Sequence, residues 1–207
     1  MNAQTQRLTL IGEAGPIEAL RDMPEGTSRG VAVVAHPHPL FGGTMDNKVV
    51  QTLARAFVQC GWTAVRFNFR GVGASAGAHD AGQGEIRDLL RVVEQVAFDG
   101  PLALAGFSFG SFVTSHALAT LWGQRPIDKV VLVGTAASRF TVADVPLSAH
   151  EQTLVVHGEQ DDTVPLSAVM DWARPQTLPV TVVPGGGHFF HGQLPLLKSL
   201  VVRHLSA

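Results

Sequence analysis

The sequence predicts an α/β protein whose mostly parallel sheet carries helices on both faces. Short apolar runs alternate with stretches that place apolar residues at helical spacing, as strands joined by crossover helices do. Polar or nucleophilic side chains follow directly after several of these runs. Because ligands of such sheets bind outside the carboxyl ends of the strands, this placement predicts a functional site at that edge.

The first half of the chain contains alternating strand and helix patterns. Residues 8–11 and 17–20 predict an opening antiparallel pair, and residues 31–35 predict a buried strand. Gly61 is the predicted stop of the first helix. That helix has its apolar face on Val50, Leu53, Ala54, Phe57 and Val58; the next strand carries Val65, Phe67 and Phe69; and the second helix carries Ile86, Leu89, Leu90 and Val93.

The second half continues this alternation. Residues 102–105 are too few for a helix and lack polar alternation, which predicts a buried parallel strand. Residues 109–121 are apolar nearly all round, which predicts a buried helix. The remaining predicted elements are strands at 130–133, 154–157 and 180–183, a short helix after Pro165, and a last helix with Leu197, Leu200 and Val201 on one side. No repeat or linker is visible, so residues 1–207 are predicted to form a single domain.

A serine lies at the junction of the 102–105 strand and the helix that follows it. The pentapeptide Gly106-Phe107-Ser108-Phe109-Gly110 fits the G-x-S-x-G nucleophile elbow. Glycines omit the Cβ atoms that would clash where a strand and a helix approach closely. The serine would occupy a strained turn at the positive end of the helix dipole. Ser108 is therefore the predicted nucleophile.

A second stretch also matches the elbow pattern, at residues 73–77 around Ser75. Residues 71–76 overlap it and match the dinucleotide fingerprint G-x-G-x-x-A. The glycines of 71–84 make a helix start unfavourable there, so this stretch is interpreted as a loop. A dinucleotide site also needs an acidic residue at a strand end about 20 residues on, and only Glu94, within a predicted helix, lies there.

A serine nucleophile needs a base and a carboxylate that orients the base. His188 follows a turn after the 180–183 strand, and Asp161 follows the 154–157 strand. We predict His188 as the base and Asp161 as the acid, with His191 and Asp162 as the alternatives. Of the other histidines, His116 and His204 are expected to be structural or at the surface, and His157 is expected to pack a loop.

Three segments, GFSFG, HGEQDDTVP and GGGHFF, together resemble the α/β-hydrolases over nearly the whole chain. AHPHPLFGGTMDNKVV and FNFRGVGASAG resemble a small bacterial branch of serine hydrolases. The resemblance implies a mostly parallel α/β-hydrolase sheet, and the family's H-G-x-x-D-x-x-V-P loop places the acid at Asp161. Asn68 stands where many relatives have an aspartate, which raises a question about the hydrogen bonds of that loop.

The resemblance also implies an oxyanion hole. One donor would be the N–H of Phe109, next to the nucleophile. Alignment with the family's H-G-x loop assigns the second to the backbone of His38, with Leu40 or Phe41 as alternatives, since Pro37 and Pro39 have no N–H.

A metal site is the alternative use of the same loop, because His36 and His38 form an H-x-H pair that Asp46 could assist. No further ligands follow at metal-binding spacing, so no metal and no cofactor are expected.

The connection at residues 134–152 is too short for the lid that many α/β-hydrolases insert there. No lid domain is therefore expected, and the site should be open and shallow. Leu40 and Phe41 are the predicted substrate-binding residues. The aromatic and sulfur side chains expected to border the site are Phe41, Met45, Phe107, Phe109, Phe189 and Trp172.

The composition narrows the function classes. A net charge of −2 shows no basic excess, so binding to nucleic acid or to an anionic membrane through bulk charge is not expected. No apolar run approaches the roughly 18–20 residues that cross a bilayer, and the start lacks the regions of a signal peptide. Cys60, the single cysteine, cannot form an internal disulfide and is expected to be a buried apolar residue. These points predict a cytoplasmic protein.

Together the motifs predict a serine hydrolase that cleaves small carboxylic esters or thioesters through an acyl-enzyme on Ser108. The partner would be the small-molecule substrate alone, and the protein a monomer or homodimer. A peptidase or acyltransferase with the same acyl-enzyme is the enzymatic alternative. A binding protein of the same fold is the other, although such a protein has no reason to keep all three triad groups.

Overall fold

The computed structural model describes residues 5–207 and contains one eight-stranded sheet. The strands are β1 Gln6–Gly12, β2 Gly15–Asp22, β3 Val31–Ala35, β4 Thr63–Phe67, β5 Leu102–Phe107, β6 Ile127–Val133, β7 Thr153–Gly158 and β8 Val180–Val183. The helices are α1 Lys48–Gln59, α2 Gln83–Val96, α3 Phe109–Leu121, α4 Leu166–Ala173 and α5 Leu194–Ser206, with short 3-10 turns at Pro39–Phe41, Leu147–Ala149 and Arg174–Gln176.

The strand order is β1-β2-β4-β3-β5-β6-β7-β8. Strands β3 to β8 are parallel to their neighbours among themselves, whereas β1 pairs with β2, and β2 with β4, in antiparallel fashion. The predicted fold class is confirmed, including the opening antiparallel pair. The carboxyl ends of the parallel strands share one edge, and the loops after β3, β5, β7 and β8 carry the predicted site residues.

The core has two parts, one on each face of the sheet. Val33 and Leu104 face the part covered by α2, α3 and α4, while Val34 and Ala105 face the part covered by α1 and α5. This alternation follows from the period of two along a strand, and continuous apolar runs are needed because both faces are buried. The buried apolar helix predicted after the elbow is α3, which lies at the centre of the first part.

Helix α2 begins at Gln83, inside the 71–84 stretch that the glycine content assigns to a loop. The loop interpretation is wrong for the last residues of that stretch. Gly84 occupies the first turn of the helix because a Cβ there would overlap the guanidinium of Arg70. Arg70 in turn makes a two-pronged ion pair with Asp88 of α2, with both N–O distances at 2.8 Å. This glycine therefore allows close packing between helix and loop, and it does not end the helix.

The loop after β4 depends on Asn68, the residue that replaces the aspartate of many relatives. Its Oδ1 accepts the Met45 N–H at 2.9 Å, and its Nδ2 donates to Glu18 Oε2 at 2.8 Å. An aspartate could not make the second bond, because an ionised carboxylate has no hydrogen to donate. Asn68 is thus matched to Glu18 on strand β2, which answers the question that the sequence raised.

The single cysteine, Cys60, is half-buried, and its sulfur lies 3.9 Å from the Val202 carbonyl of α5. It is therefore less buried than we expected.

Among the helices of residues 5–207, none has the length and apolar character needed to cross a membrane.

Candidate active site

Ser108 lies in the sharp turn between β5 and α3, as the elbow motif predicts. Its φ of 57° and ψ of −117° fall outside the usual regions for a residue with a side chain. The Ser108 N–H donates to the Val133 carbonyl of β6 at 2.8 Å, which anchors the turn to the sheet. A Cβ on Gly106 would overlap the Gly110 carbonyl, and one on Gly110 would overlap the backbone of residues 35–36. The two glycines are therefore required for helix and strand to approach this closely.

Ser75, the competing elbow candidate, closes a loop. Its hydroxyl donates to the Asn68 carbonyl at 2.7 Å and accepts the Glu18 N–H at 2.9 Å. No helix follows it directly, because α2 begins only at Gln83. The strand–turn–helix context that an elbow needs is present at Ser108 and missing at Ser75.

Ser108, His188 and Asp161 form a continuous chain of hydrogen-bonding groups. His188 Nε2 lies 3.0 Å from Ser108 Oγ, and His188 Nδ1 lies 2.7 Å from Asp161 Oδ2. A carboxylate can only accept, so Nδ1 carries the proton and Nε2 is free to accept one from the serine. The three residues are 7%, 4% and 6% exposed, so bulk water is largely excluded from these contacts.

The carboxylate of Asp161 is held in its charged form. Burial acts to raise its pKa, but hydrogen bonds from His188 and the Val164 N–H, with the nearby histidines, outweigh burial and lower that pKa below its usual value. Its second oxygen, Oδ1, accepts the Thr163 and Val164 N–H groups at 2.9 and 2.7 Å. The backbone of the turn after β7 therefore orients the carboxylate so that Oδ2 faces the imidazole of His188.

The two alternative residues lie outside this chain. Asp162 is exposed, and its Oδ1 lies 3.3 Å from the Thr163 hydroxyl. His191 is exposed and packs its ring 5.9 Å from the Phe189 ring. The structure brings together the first choices of the sequence prediction and leaves the two alternatives apart.

His157 packs a loop, as the sequence predicts, and also contacts Asp161, which the sequence analysis did not predict. It packs the loop as expected, since its Nε2 donates to the Val164 carbonyl at 2.9 Å. The same Nε2 also lies 3.4 Å from Asp161 Oδ2, and the side chain is fully buried. Burial lowers the pKa of His157, so the ring stays neutral beside the carboxylate. The four-residue spacing to Asp161 at the end of a strand is the only sequence signal of this contact.

The loop after β3, which carries the predicted oxyanion donor His38, has few backbone N–H groups without an acceptor. The Leu40 N–H donates to His38 Nδ1 at 3.2 Å, and the Phe41 N–H donates to the His38 carbonyl at 3.1 Å, so both alternative donors are already engaged. Within residues 5–207, neither the His38 N–H nor the Phe109 N–H has a hydrogen-bond acceptor. Both residues line the same cavity as Ser108. They remain our predicted oxyanion donors.

The first histidine of the H-x-H pair, His36, has both ring nitrogens engaged by the backbone. His36 Nε2 accepts the Phe69 N–H at 3.0 Å, and His36 Nδ1 lies 2.6 Å from the Pro37 carbonyl. Burial lowers the pKa of His36 to about 4, so this ring acts as a neutral link between two loops. Asp46 pairs with Arg66 at 3.1 Å. In the part of the chain that the structure describes, no three His, Cys, Asp or Glu residues cluster as metal ligands.

A cavity of about 370 Å³ opens beside Ser108 and His188, large enough for a small acyl group. Four phenylalanines form its apolar walls, from four different parts of the chain: Phe41, Phe109, Phe140 and Phe189. Phe140 is absent from the bordering residues that the sequence predicts. It comes from the 134–152 connection and stacks on Phe112 at 4.8 Å, which fixes its ring at the mouth of the site.

Several predicted bordering residues lie elsewhere. Leu40 does not line the cavity and is 70% exposed, because in the tight 3-10 turn only the neighbouring Phe41 reaches the site. Met45 is buried, and Phe107 packs beneath the His188 ring at 4.9 Å. Trp172 borders a separate depression. These four expectations are corrected: Met45 and Phe107 are buried in the core, Leu40 is exposed to solvent, and Trp172 faces the neighbouring depression.

Comparison with known proteins identifies the same fold. A family model for the alpha/beta hydrolase fold matches residues 38–151, a range that includes His38 and Ser108 and ends before Asp161. An uncharacterised protein of Rickettsia prowazekii is 39% identical over 106 residues, which are 49% of this chain and 44% of that protein. The match thus spans less than half of that relative's length.

Two solved structures resemble the whole chain. A Xanthomonas campestris protein, described as an α/β serine hydrolase without a lid, is 36% identical, with a TM-score of 0.87 over 100% of this chain and 95% of that one. An α/β serine hydrolase homologue from Coxiella burnetii is 38% identical, with a TM-score of 0.81 over 97% of both chains. The chain therefore belongs to the α/β-hydrolase family and, within it, to the small serine hydrolases that lack a lid.

Proposed function

We propose that this serine hydrolase cleaves small carboxylic esters or thioesters through an acyl-enzyme on Ser108. The observation that supports the proposal is the aligned chain of Ser108, His188 and Asp161 at the wall of an apolar cavity. A hydroxyl beside a neutral imidazole nitrogen has an acceptor for its proton, and the apolar walls suit an acyl group.

The steps of the reaction follow from the positions of the groups. Ser108 Oγ attacks the carbonyl carbon while His188 Nε2 takes the hydroxyl proton, and Asp161 stabilises the imidazolium that forms. The N–H groups of His38 and Phe109 donate to the developing oxyanion. The intermediate then collapses, His188 returns the proton to the leaving alcohol or thiol, and the acyl group stays on Ser108. Water deprotonated by His188 then attacks the acyl carbon, the bond from that carbon to Ser108 Oγ breaks, and His188 returns the proton to Ser108 as the acid leaves.

Esters and thioesters fit the site better than peptides. The cavity is compact, and four phenylalanines contribute to its walls. An extended peptide is normally held by main-chain hydrogen bonds along a strand edge or groove. The edge strands, β1 and β8, lie at the two ends of the sheet, far in strand order from β5, which carries the nucleophile.

Labelling with a fluorophosphonate tests the nucleophile. We expect the wild-type protein and Ser75→Ala to be labelled, and Ser108→Ala to be neither labelled nor active, with folding of both variants checked by circular dichroism. Turnover of p-nitrophenyl butyrate, a butyryl thioester and butyryl p-nitroanilide then tests the substrate class. A label on another residue would overturn the assignment of Ser108, and faster cleavage of the anilide than of both esters would overturn the ester proposal.

A further inference from the structure

One wall of the cavity beside Ser108 carries a cation, Arg139. This residue lies in the connection between β6 and β7, where its N–H donates to the Ala136 carbonyl at 3.1 Å and holds the backbone in a turn. Arg139 is exposed, yet it lines the same cavity as Ser108 and His188. A bound substrate would therefore lie beside Arg139.

The guanidinium of Arg139 has no partner among the described residues. Within residues 5–207, no carboxylate lies within ion-pair distance of it and no acceptor forms a hydrogen bond with its side chain. Three of the other arginines, by contrast, make ion pairs: Arg66 with Asp22, Arg70 with Asp88 and Arg87 with Glu13. The five donors of Arg139 are thus free for a ligand.

The side chains that line the cavity within residues 5–207 include a cation and no carboxylate. Among the described residues that line it there is no aspartate or glutamate, and its titratable side chains are Arg139, His38 and His188. Burial and the neighbouring His79 lower the pKa of His38, the carboxylate of Glu85 acts to raise it, and the charge of Arg139 acts to lower it. The charges of Glu85 and Arg139 both act on the loop that carries the predicted oxyanion donor, and of these two residues only Arg139 lines the cavity.

From these observations we propose that the natural substrate carries a carboxylate or phosphate away from the scissile bond, and that Arg139 binds this group. The inference rests on the proposed ester hydrolysis and names the substrate class within it. A guanidinium binds a planar or tetrahedral oxyanion through two parallel hydrogen bonds, a geometry that a neutral ester cannot use. Phe109 and Phe140 would pack against the carbon chain between the two polar ends.

Paired substrates that differ in one charge test the proposal. On the acyl side, monoethyl adipate is compared with the same ester whose free carboxylate is replaced by a primary amide. On the leaving-group side, the butanoyl ester of para-hydroxyphenylacetic acid is compared with its amide. We expect kcat/KM to favour the anion about tenfold in one of the two pairs, as a partly solvated charge-assisted contact allows. The pair that shows it tells which end of the substrate meets Arg139.

The variants assign this preference to one side chain. Arg139→Gln should bring the anion-to-amide ratio of kcat/KM close to one, mainly through KM for the anion, and Arg139→Glu should invert it. Arg203→Gln removes the same charge from α5, outside the cavity lining, and should leave the ratio unchanged. An equal ratio in wild type and Arg139→Gln, or no anion preference in either pair, would overturn the inference.

The same measurements separate this inference from the proposed function. If Ser108-dependent turnover of the neutral esters is seen but Arg139→Gln leaves the anion-to-amide ratio of kcat/KM unchanged, only the role of Arg139 is wrong. If no ester or thioester is turned over and Ser108 is not labelled by fluorophosphonate, the proposed function itself fails.

Discussion

The hydrogen bonds of Asp161 both orient its carboxylate and keep it ionised. Its Oδ2 faces the imidazole of His188 at 2.7 Å, and its Oδ1 accepts two backbone N–H groups of the turn after β7. These bonds outweigh the effect of burial, which raises the pKa, and leave that pKa lowered. An ionised Asp161 keeps the proton of His188 on Nδ1, so Nε2 can act as the base.

We expect Asp161→Asn to lower kcat by about 10³–10⁴-fold, the loss typical of a triad that holds the wrong tautomer. Asp162→Asn, the matched change at the next residue, should lower kcat less than about twofold because that side chain is exposed. Steady-state kinetics on p-nitrophenyl butyrate, with both variants shown to be folded, make the comparison. Equal losses in the two variants would contradict the role of Asp161.

At the scale of elements, one side-chain pair joins parts of the chain that are far apart in sequence. Glu18 of β2 accepts hydrogen bonds from Asn68, in the loop after β4, and from the Ala74 N–H at 3.0 Å. The hydrogen bond from Ala74 is the largest cause of the lowered pKa of Glu18, whereas burial of Glu18 acts to raise that pKa. Asn68 also accepts a hydrogen bond from the Met45 N–H, so it connects the loop between β3 and α1 to the antiparallel edge of the sheet.

Asn68→Asp should destabilise the protein, because it would place a second carboxylate 2.8 Å from Glu18 Oε2. We expect the free energy of unfolding at neutral pH to fall by about 1–3 kcal/mol. The deficit should shrink in mild acid, where one carboxyl of the pair can bind a proton. Urea unfolding at several pH values measures both effects.

Asn47→Asp is the matched control for this prediction. Asn47 caps α1 by accepting the Val49 N–H at 2.9 Å, and aspartate caps a helix equally well. The same chemical change should therefore leave stability nearly constant there. A similar loss in both variants would show that the Glu18–Asn68 contact is not the cause.

At the scale of the whole molecule, the connection between β6 and β7 decides how open the site is. It contains one short 3-10 turn, Leu147–Ala149, and contributes Ala136, Arg139 and Phe140 to the cavity wall. Phe140 is packed on Phe112 of α3, so this segment forms a fixed rim. Nothing in the described connection is long enough to close over the nucleophile.

An open rim should give a gradual dependence on acyl-chain length. With p-nitrophenyl esters of increasing length, kcat/KM should change by small steps, since one methylene contributes at most roughly 1–3 kcal/mol. The rate should also rise smoothly through the concentration at which a substrate aggregates, because no lid has to move. A jump in rate at that concentration, or a sharp length cutoff, would show that part of the 134–152 connection moves.

Local sequence patterns are sufficient to predict the fold class, the order of the elements and the position of the elbow. The strands show either alternating apolar residues or a continuous apolar run. Helices α1 and α2 show apolar residues at helical spacing, and glycines lie on both sides of Ser108. Ser75 matches the same five-residue pattern, and the lack of a helical run directly after it is enough to set it apart. Even Gly84, which its neighbouring glycines assign to a loop, lies within two residues of the observed helix start.

Which side chains meet at the site depends instead on the tertiary fold. Asp161 and Asp162 have the same chemistry and almost the same local sequence, yet only Asp161 contacts His188. Likewise Phe140 lines the cavity while Met45 and Trp172 do not. Such choices depend on the path of loops from several strand ends, and a shift of one residue turns a side chain to the other side. Local periodicity carries no information about that path, because the hydrogen bond between Ser108 and His188 joins residues 80 positions apart.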